Sequence, residues 1–281
     1  MTKIVSILNI TPDSFSDGGM YTTQENALNA ASSFIEYADI LEIGAESTRP
    51  WSITGQPIKA KLIDEKEDWR RLNAININKL IDLCKSYNKD VSLDSRYRNT
   101  INNLIDKIDI VNDQSAHRDT MSFVSKMSER VKVVLMHHIT IPADQNIVME
   151  CNNDEIILEL NKWFSNRIAI CNEFGISNDR IILDPGIGFG KNREQSLYVI
   201  ENIHKIKKYA DLNDVQIMIG HSRKGCLKEF MKNEFQDDLS LETLDKKTAI
   251  ISGLVAKYVN YIRVHNPKMT FEKLNIKNNP I

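Results

Sequence analysis

KIVSILNITPDSFSDGG, residues 3–19, joins two opposite kinds of sequence. Residues 4–8 are apolar and rich in β-branched side chains, the signature of a short buried strand. The run stops at Asn9. The next ten residues carry Pro12, Asp13, Ser14, Ser16, Asp17 and the pair Gly18-Gly19. A buried strand that empties at once into a polar, glycine-bearing loop is the arrangement expected where loops at one end of a sheet carry a site.

Read outward from there, the pattern repeats. Apolar runs of strand length lie at 4–8, 40–44, 91–94, 108–112, 131–136, 180–184, 215–220 and 261–265. Amphipathic stretches follow them at about 24–37, 66–87, 96–106, 119–128, 154–174, 194–210, 243–258 and 268–275, with a short helix near 225–232. Eight strand–helix units in 281 residues predict a (β/α)8 TIM barrel, one domain over 1–281. An open doubly wound sheet is the alternative, and the lack of a Gly-rich dinucleotide turn after any strand weighs against it.

Composition narrows the class. At 42% hydrophobic residues the chain can bury a full core. A net charge of -2, spread along the sequence, disfavours nucleic-acid binding. No apolar stretch is long enough to span a bilayer, and the N-terminal run is too short for a signal h-region. Cys84, Cys151, Cys171 and Cys226 show no C-x-x-C spacing and read as free thiols of a cytoplasmic protein.

In a barrel of this kind the site is built at the C-terminal strand ends. Here every strand end is polar. The second runs into Glu46-Ser47-Thr48-Arg49-Pro50, the third ends at Asp94 and the fourth at Asn112-Asp113. The fifth ends at His137-His138, the sixth at Asp184-Pro185-Gly186, the seventh leads to Ser222-Arg223-Lys224, and the eighth carries Arg263 and His265. Arg263 and His265 are two apart on a strand and so share a face. With Arg49, and with Lys224 where a helix could begin, they suit a phosphate or diphosphate, the alternative being a basic surface cluster. Asp94, Asn112 and Asp184 come from three strands and suit a flat heterocycle with several N–H groups, the alternative being helix caps. Asn9 and Asp17 offer oxygen ligands for Mg2+ beside a diphosphate.

These residues in this order resemble the dihydropteroate synthase family. The match is carried by LNITPDSFSDGG (8–19), EIGAESTRP (42–50), SLDS (92–95), VND (111–113), LMH (135–137), ILDPGIGFGK (182–191), GHSRKG (220–225) and RVH (263–265). The resemblance implies a homodimeric, sulfonamide-targeted transferase of folate biosynthesis. Such an enzyme joins 6-hydroxymethyl-7,8-dihydropterin diphosphate to p-aminobenzoate and releases diphosphate with Mg2+. It further implies that Asp94, Asn112, Asp184 and Lys224 hold the pterin. Asn9, Arg263 and His265 would hold the diphosphate, with Asn9 and Asp17 near Mg2+. Phe15, Thr48, Arg49 and Pro50 would belong to loops closing over p-aminobenzoate, and Lys224, Arg263, His265 and Asp94 would assist the chemistry.

The chain departs from the family pattern in four places. The family usually begins with a short hairpin before the first barrel strand, whereas here the first strand starts almost at Met1, so either a shortened form or another plug for the barrel floor is expected. Trp51 replaces a glycine, His138-Ile139-Thr140 replaces a Met-Arg-Gly pattern, and Asn266 replaces an Asp. Two rivals share the pterin-binding residues. A methyltransferase acting on methyltetrahydrofolate would not need the diphosphate seat, and a non-catalytic pterin-binding protein would not need Arg263, His265, Asn9 and Asp17.

Overall fold

The computed structural model describes residues 1–11, 21–46, 62–141, 143–144, 146–230, 238 and 240–276. Eight parallel strands close into a barrel in sequence order. They are β1 Lys3–Asn9, β2 Ile40–Gly44, β3 Asp90–Asp94, β4 Ile110–Asn112, β5 Lys132–Met136, β6 Ile181–Asp184, β7 Gln216–Ile219 and β8 Tyr261–Val264. The β1–β8 pairing, with Val5 opposite Arg263, completes the ring.

The helices are α1 Gln24–Ile35, α2 Glu65–Ala74, α3 Ile77–Ser86, α4 Arg98–Asn103, α5 Arg118–Val124, α6 Asn153–Glu173, α7 Arg193–Glu201, α8 Ile203–Leu212, α9 Leu241–Val255 and α10 Pro267–Ile276. Two expected helices are each split. The stretch 66–87 breaks at Asn76, whose backbone is left-handed (φ 53°), a conformation asparagine tolerates better than most residues. The stretch 194–210 breaks at Asn202, whose side-chain amide donates to the Tyr198 carbonyl and so competes with continued helix. The helix expected near 225–232 is a single 3-10 turn, Gly225–Lys228, within the described residues.

Alternation along each strand sorts the side chains into two cores. Leu8, Leu41, Leu93, Val111, Leu135, Leu183, Ile219 and Val264 face outward and pack with the helices. Val5, Ile40, Ile110, Val134, Ile182, Met218 and Tyr261 face inward as an apolar plug across the barrel. Below that plug lies a polar floor. Lys132 Nζ donates to Gln216 Oε1 at 2.6 Å, the Tyr261 hydroxyl donates to the same oxygen at 2.8 Å, and Lys3 pairs with Asp90 at 3.0 Å. Side chains of the barrel strands themselves therefore fill the floor. Above the plug, inward positions become acidic, amide and basic, and this is the end that holds the candidate site.

Candidate active site

Glu42 is the hub of the barrel mouth. It sits mid-strand on β2, 1% exposed, between inward-facing Ile40 and Gly44. Its Oε2 accepts from Ser92 Oγ at 3.0 Å and from Asn112 Nδ2 at 2.9 Å. Its Oε1 accepts from Arg263 Nε. Arg263 reaches onward to Asp94 Oδ2 at 2.9 Å. Gln114 donates to both Asp94 oxygens at 3.0 Å. Four strands are thereby tied together by one chain of charge-assisted hydrogen bonds.

The charges in this cluster do not balance. Two buried carboxylates share one guanidinium, and Asp184 is a third acid close by. Burial, and then the Glu42 charge, push the Asp94 carboxyl well above the usual carboxylate range, with Arg263 opposing. Burial also raises Asp184, offset by the Gly186 N–H that donates to its Oδ1 at 2.8 Å. Burial opposes the Arg263 charge, yet Glu42 and Asp94 hold it above its ordinary value. Asn112 adds an open valence. A carboxylate can only accept, so the Asn112 amide must turn its NH2 to Glu42, and Asn112 Oδ1 is left buried without a partner. A small cleft lined by Glu46, Ser95, Arg96 and Gln114 opens beside Asp94.

Two glycines make room for these groups. A side chain at Gly44 would bring a Cβ to 3.2 Å from Asp94 Cβ. Gly186 has φ +63°, and a Cβ there would lie 1.9 Å from the His137 carbonyl oxygen. The β6 loop is braced by Lys191, whose buried ammonium lies 2.8 Å from His137 Nδ1 and donates to the Gly186 and Phe189 carbonyls at 3.2 Å. Burial lowers Lys191 to about 7. Burial and then the Lys191 charge lower His137 to about 2. His137 is thus a neutral acceptor holding the loop. Phe189 in turn lies under Lys224, with Nζ 4.2 Å from the ring centroid.

The predicted residues separate into three groups. Asp94, Asn112, Asp184 and Arg263 come together at the mouth, as the sequence suggested. Arg263, expected beside His265 as a cationic pair, is tied to the buried carboxylates of Glu42 and Asp94. His265 instead meets Ser222. Lys224 is the N-cap of the 3-10 turn Gly225–Lys228, and no α-helix begins there among the described residues. Arg223, beside it, is bound to Asp245 through Nε at 2.6 Å and the terminal nitrogen at 2.9 Å, which makes it an anchor of the loop. Asn9 ends β1, 8% exposed, and its amide has no hydrogen-bond partner among the described residues. Phe15, Asp17, Thr48, Arg49, Pro50 and Trp51 lie outside the described residues.

From the sequence, Glu42, Gln114, Lys191 and Ser222 received no role in the site, although all but Gln114 lie in the quoted motifs. Glu42 carried a signal: a charged residue in the apolar run ILEIG, in phase with the inward face. Lys191 and Ser222 carried only their place in the motifs at 182–191 and 220–225.

Comparison with known proteins agrees with this geometry. The family model described as pterin binding enzyme matches residues 5–265. The chain is 30% identical to dihydropteroate synthase type-3 of Escherichia coli, over 98% of each chain. It is 31% identical to the mitochondrial folate synthesis bifunctional protein of Pisum sativum, over 98% of this chain but 52% of that protein, so it spans about half the length of that relative. The crystal structure of dihydropteroate synthase from Anaplasma phagocytophilum with bound 6-hydroxymethylpterin-monophosphate superposes with a TM-score of 0.80 at 30% identity, over 99% and 98% of the two chains. The barrel, the acidic mouth and these likenesses together place the chain in the pterin-binding enzyme family, among the dihydropteroate synthases.

Proposed function

We propose that the chain condenses 6-hydroxymethyl-7,8-dihydropterin diphosphate with p-aminobenzoate, forming 7,8-dihydropteroate and releasing diphosphate. The observation that carries this reading is the mouth itself: Asp94, Asp184 and an unpartnered Asn112 oxygen, all buried, converging with Arg263 from four strands. Such a set is matched by a flat ring bearing several N–H groups next to an anion.

In this reading Asp94, Asn112 and Asp184 accept hydrogen bonds from the pterin. The Asp94 and Asp184 carboxylates favour the positive charge that grows on the ring as the methylene–oxygen bond breaks. The arylamine nitrogen forms the new bond to the methylene carbon, loses a proton to solvent, and the bond electrons leave with the diphosphate. The amine is neutral near pH 7, so no strong general base is required. Arg263, His265 and Lys224 hold the diphosphate and the pterin edge beside it. Phe15, Thr48, Arg49 and Pro50 close over p-aminobenzoate, which sulfonamides would contest.

Mg2+ belongs to the same proposal. The Asn9 amide oxygen at the end of β1, without a hydrogen-bond partner among the described residues, fits a hard cation that takes one or two protein oxygens plus phosphate oxygens, and Asp17 would be the second. When bound it would neutralise charge on the departing diphosphate. We also propose a cytoplasmic homodimer. The four cysteines are free thiols, and no helix among the described residues is long and apolar enough to cross a membrane.

The test is a product assay with both substrates, with Mg2+ and with excess chelator, alongside light scattering for the dimer. Dihydropteroate formed only with the metal supports the reading. No product from folded protein overturns the reaction, and full activity in chelator overturns the metal.

A further inference from the structure

The Ser222 hydroxyl meets His265 twice. The His265 backbone N–H donates to Ser222 Oγ at 3.2 Å, and the same oxygen lies 2.9 Å from His265 Nδ1. Both residues are buried, 2% and 4% exposed. Their neighbours are pinned by one carboxylate: Asp245 on α9 receives Arg223, next to Ser222, and Asn266, next to His265, whose Nδ2 donates at 3.0 Å. The Asn that replaces an Asp at 266 is what allows that donation, since an aspartate could not donate to Asp245.

A serine hydroxyl has one hydrogen. In its first contact Oγ must be the acceptor, because a backbone N–H only donates. Among the described residues no other group accepts from Oγ, so its hydrogen has one place to go, the lone pair of Nδ1. We propose that Ser222 is a positioning residue that holds His265 as the neutral Nε2–H tautomer, so that Nε2 presents a directed N–H donor to an anionic group of the substrate. This rests on the reading of His265 as a diphosphate ligand. A proton on Nδ1 would strand the hydroxyl hydrogen in a buried place, which disfavours both the other tautomer and the imidazolium. Positive charge for the leaving group then comes from Arg263, Lys224 and the metal, and His265 supplies direction.

The experiment is 15N NMR on histidine-labelled full chain, with the His265 signals assigned by their loss in His265→Asn. Wild type is expected to show a protonated Nε2 and an unprotonated Nδ1. Ser222→Ala should shift the ring toward the Nδ1–H form and lower kcat roughly 10-fold, as loss of an outer partner that orients a ligating histidine does. Ser222→Thr should restore both. A wild-type His265 protonated on Nδ1, or on both nitrogens, overturns the proposal, and this holds even if Ser222→Ala does not fold. An unchanged tautomer in folded Ser222→Ala also overturns it. The spectrum needs no turnover, so the expected tautomer in an inactive protein would count against the proposed reaction alone.

Discussion

At the floor of the barrel Lys132, Gln216 and Tyr261 close a triangle of hydrogen bonds, and Lys3 faces Asp90. At the mouth Glu42, Asp94 and Asp184 gather around Arg263, and Asn112 Oδ1 is bound to nothing. Both ends are polar and both cross-link strands. The floor lies nearer to solvent and its polar ends meet each other. The mouth is deeply buried, sets two carboxylates on one guanidinium, and keeps an acceptor open. A fold gains nothing from an excess of buried carboxylate or from an orphan oxygen. That difference teaches which end is structural and which is shaped for something the chain itself does not supply.

Removing Arg263 should break the mouth most severely. Arg263→Ala leaves Glu42 and Asp94 buried with no counter-charge, a loss of about 3–5 kcal/mol in stability, read from the urea midpoint, together with loss of product formation. A change under 1 kcal/mol would mean that the mouth is wetter and less coupled than its geometry indicates.

Neutralising one acid should act on binding more than on folding. Asp184→Asn and Asp94→Asn each remove a charge-assisted hydrogen bond of about 1.5–3 kcal/mol, roughly a 10- to 100-fold weaker pterin affinity. Calorimetry with a pterin analogue reads it directly, and unchanged affinity would reduce both residues to structural caps.

The same carboxyl carries a pH signature. Burial raises Asp94 in the folded state, so the native protein keeps this proton to higher pH than the unfolded chain does. The native state then binds more protons, and stability falls as pH rises above the ordinary range of about 4. Asp94→Asn lacks that titration. Its stability relative to wild type should therefore improve from about pH 4 to about 8 and then level off, and a pH-independent difference in urea unfolding would contradict the raised value.

The floor should yield the smallest effect. Lys132→Met removes the hydrogen bond to Gln216 and the longer one to the Tyr261 hydroxyl, while Tyr261 still donates to Gln216. Stability should change by no more than about 1 kcal/mol, with kcat unchanged. A large fall in kcat would join the two ends functionally and end the contrast.

The barrel was readable because strand position depends on local apolar runs, and all eight runs overlap observed strands within two residues or so. Helix breaks were less readable, since the turns at Asn76 and Asn202 interrupt amphipathic patterns that run straight through them. At the site, sequence named the acids and bases but not their partners. Arg263 looked like an anion ligand beside His265, and only the closing of β8 onto β1 brings it to Glu42. Ser222 and His265 are 43 residues apart and meet because β7 and β8 are neighbours. Such pairings belong to topology, which no spacing along the chain records.

The most direct test of the mouth counts protons. Titrate 6-hydroxymethyl-7,8-dihydropterin diphosphate with Mg2+ into wild type and into Asp94→Asn, in two buffers of different ionisation heat near neutral pH. If ring N–H groups donate to Asp94, the ionised form becomes favoured and wild type should release protons on binding that Asp94→Asn does not. Equal proton exchange in the two proteins would contradict the claim that the mouth holds its charge in wait for a ligand.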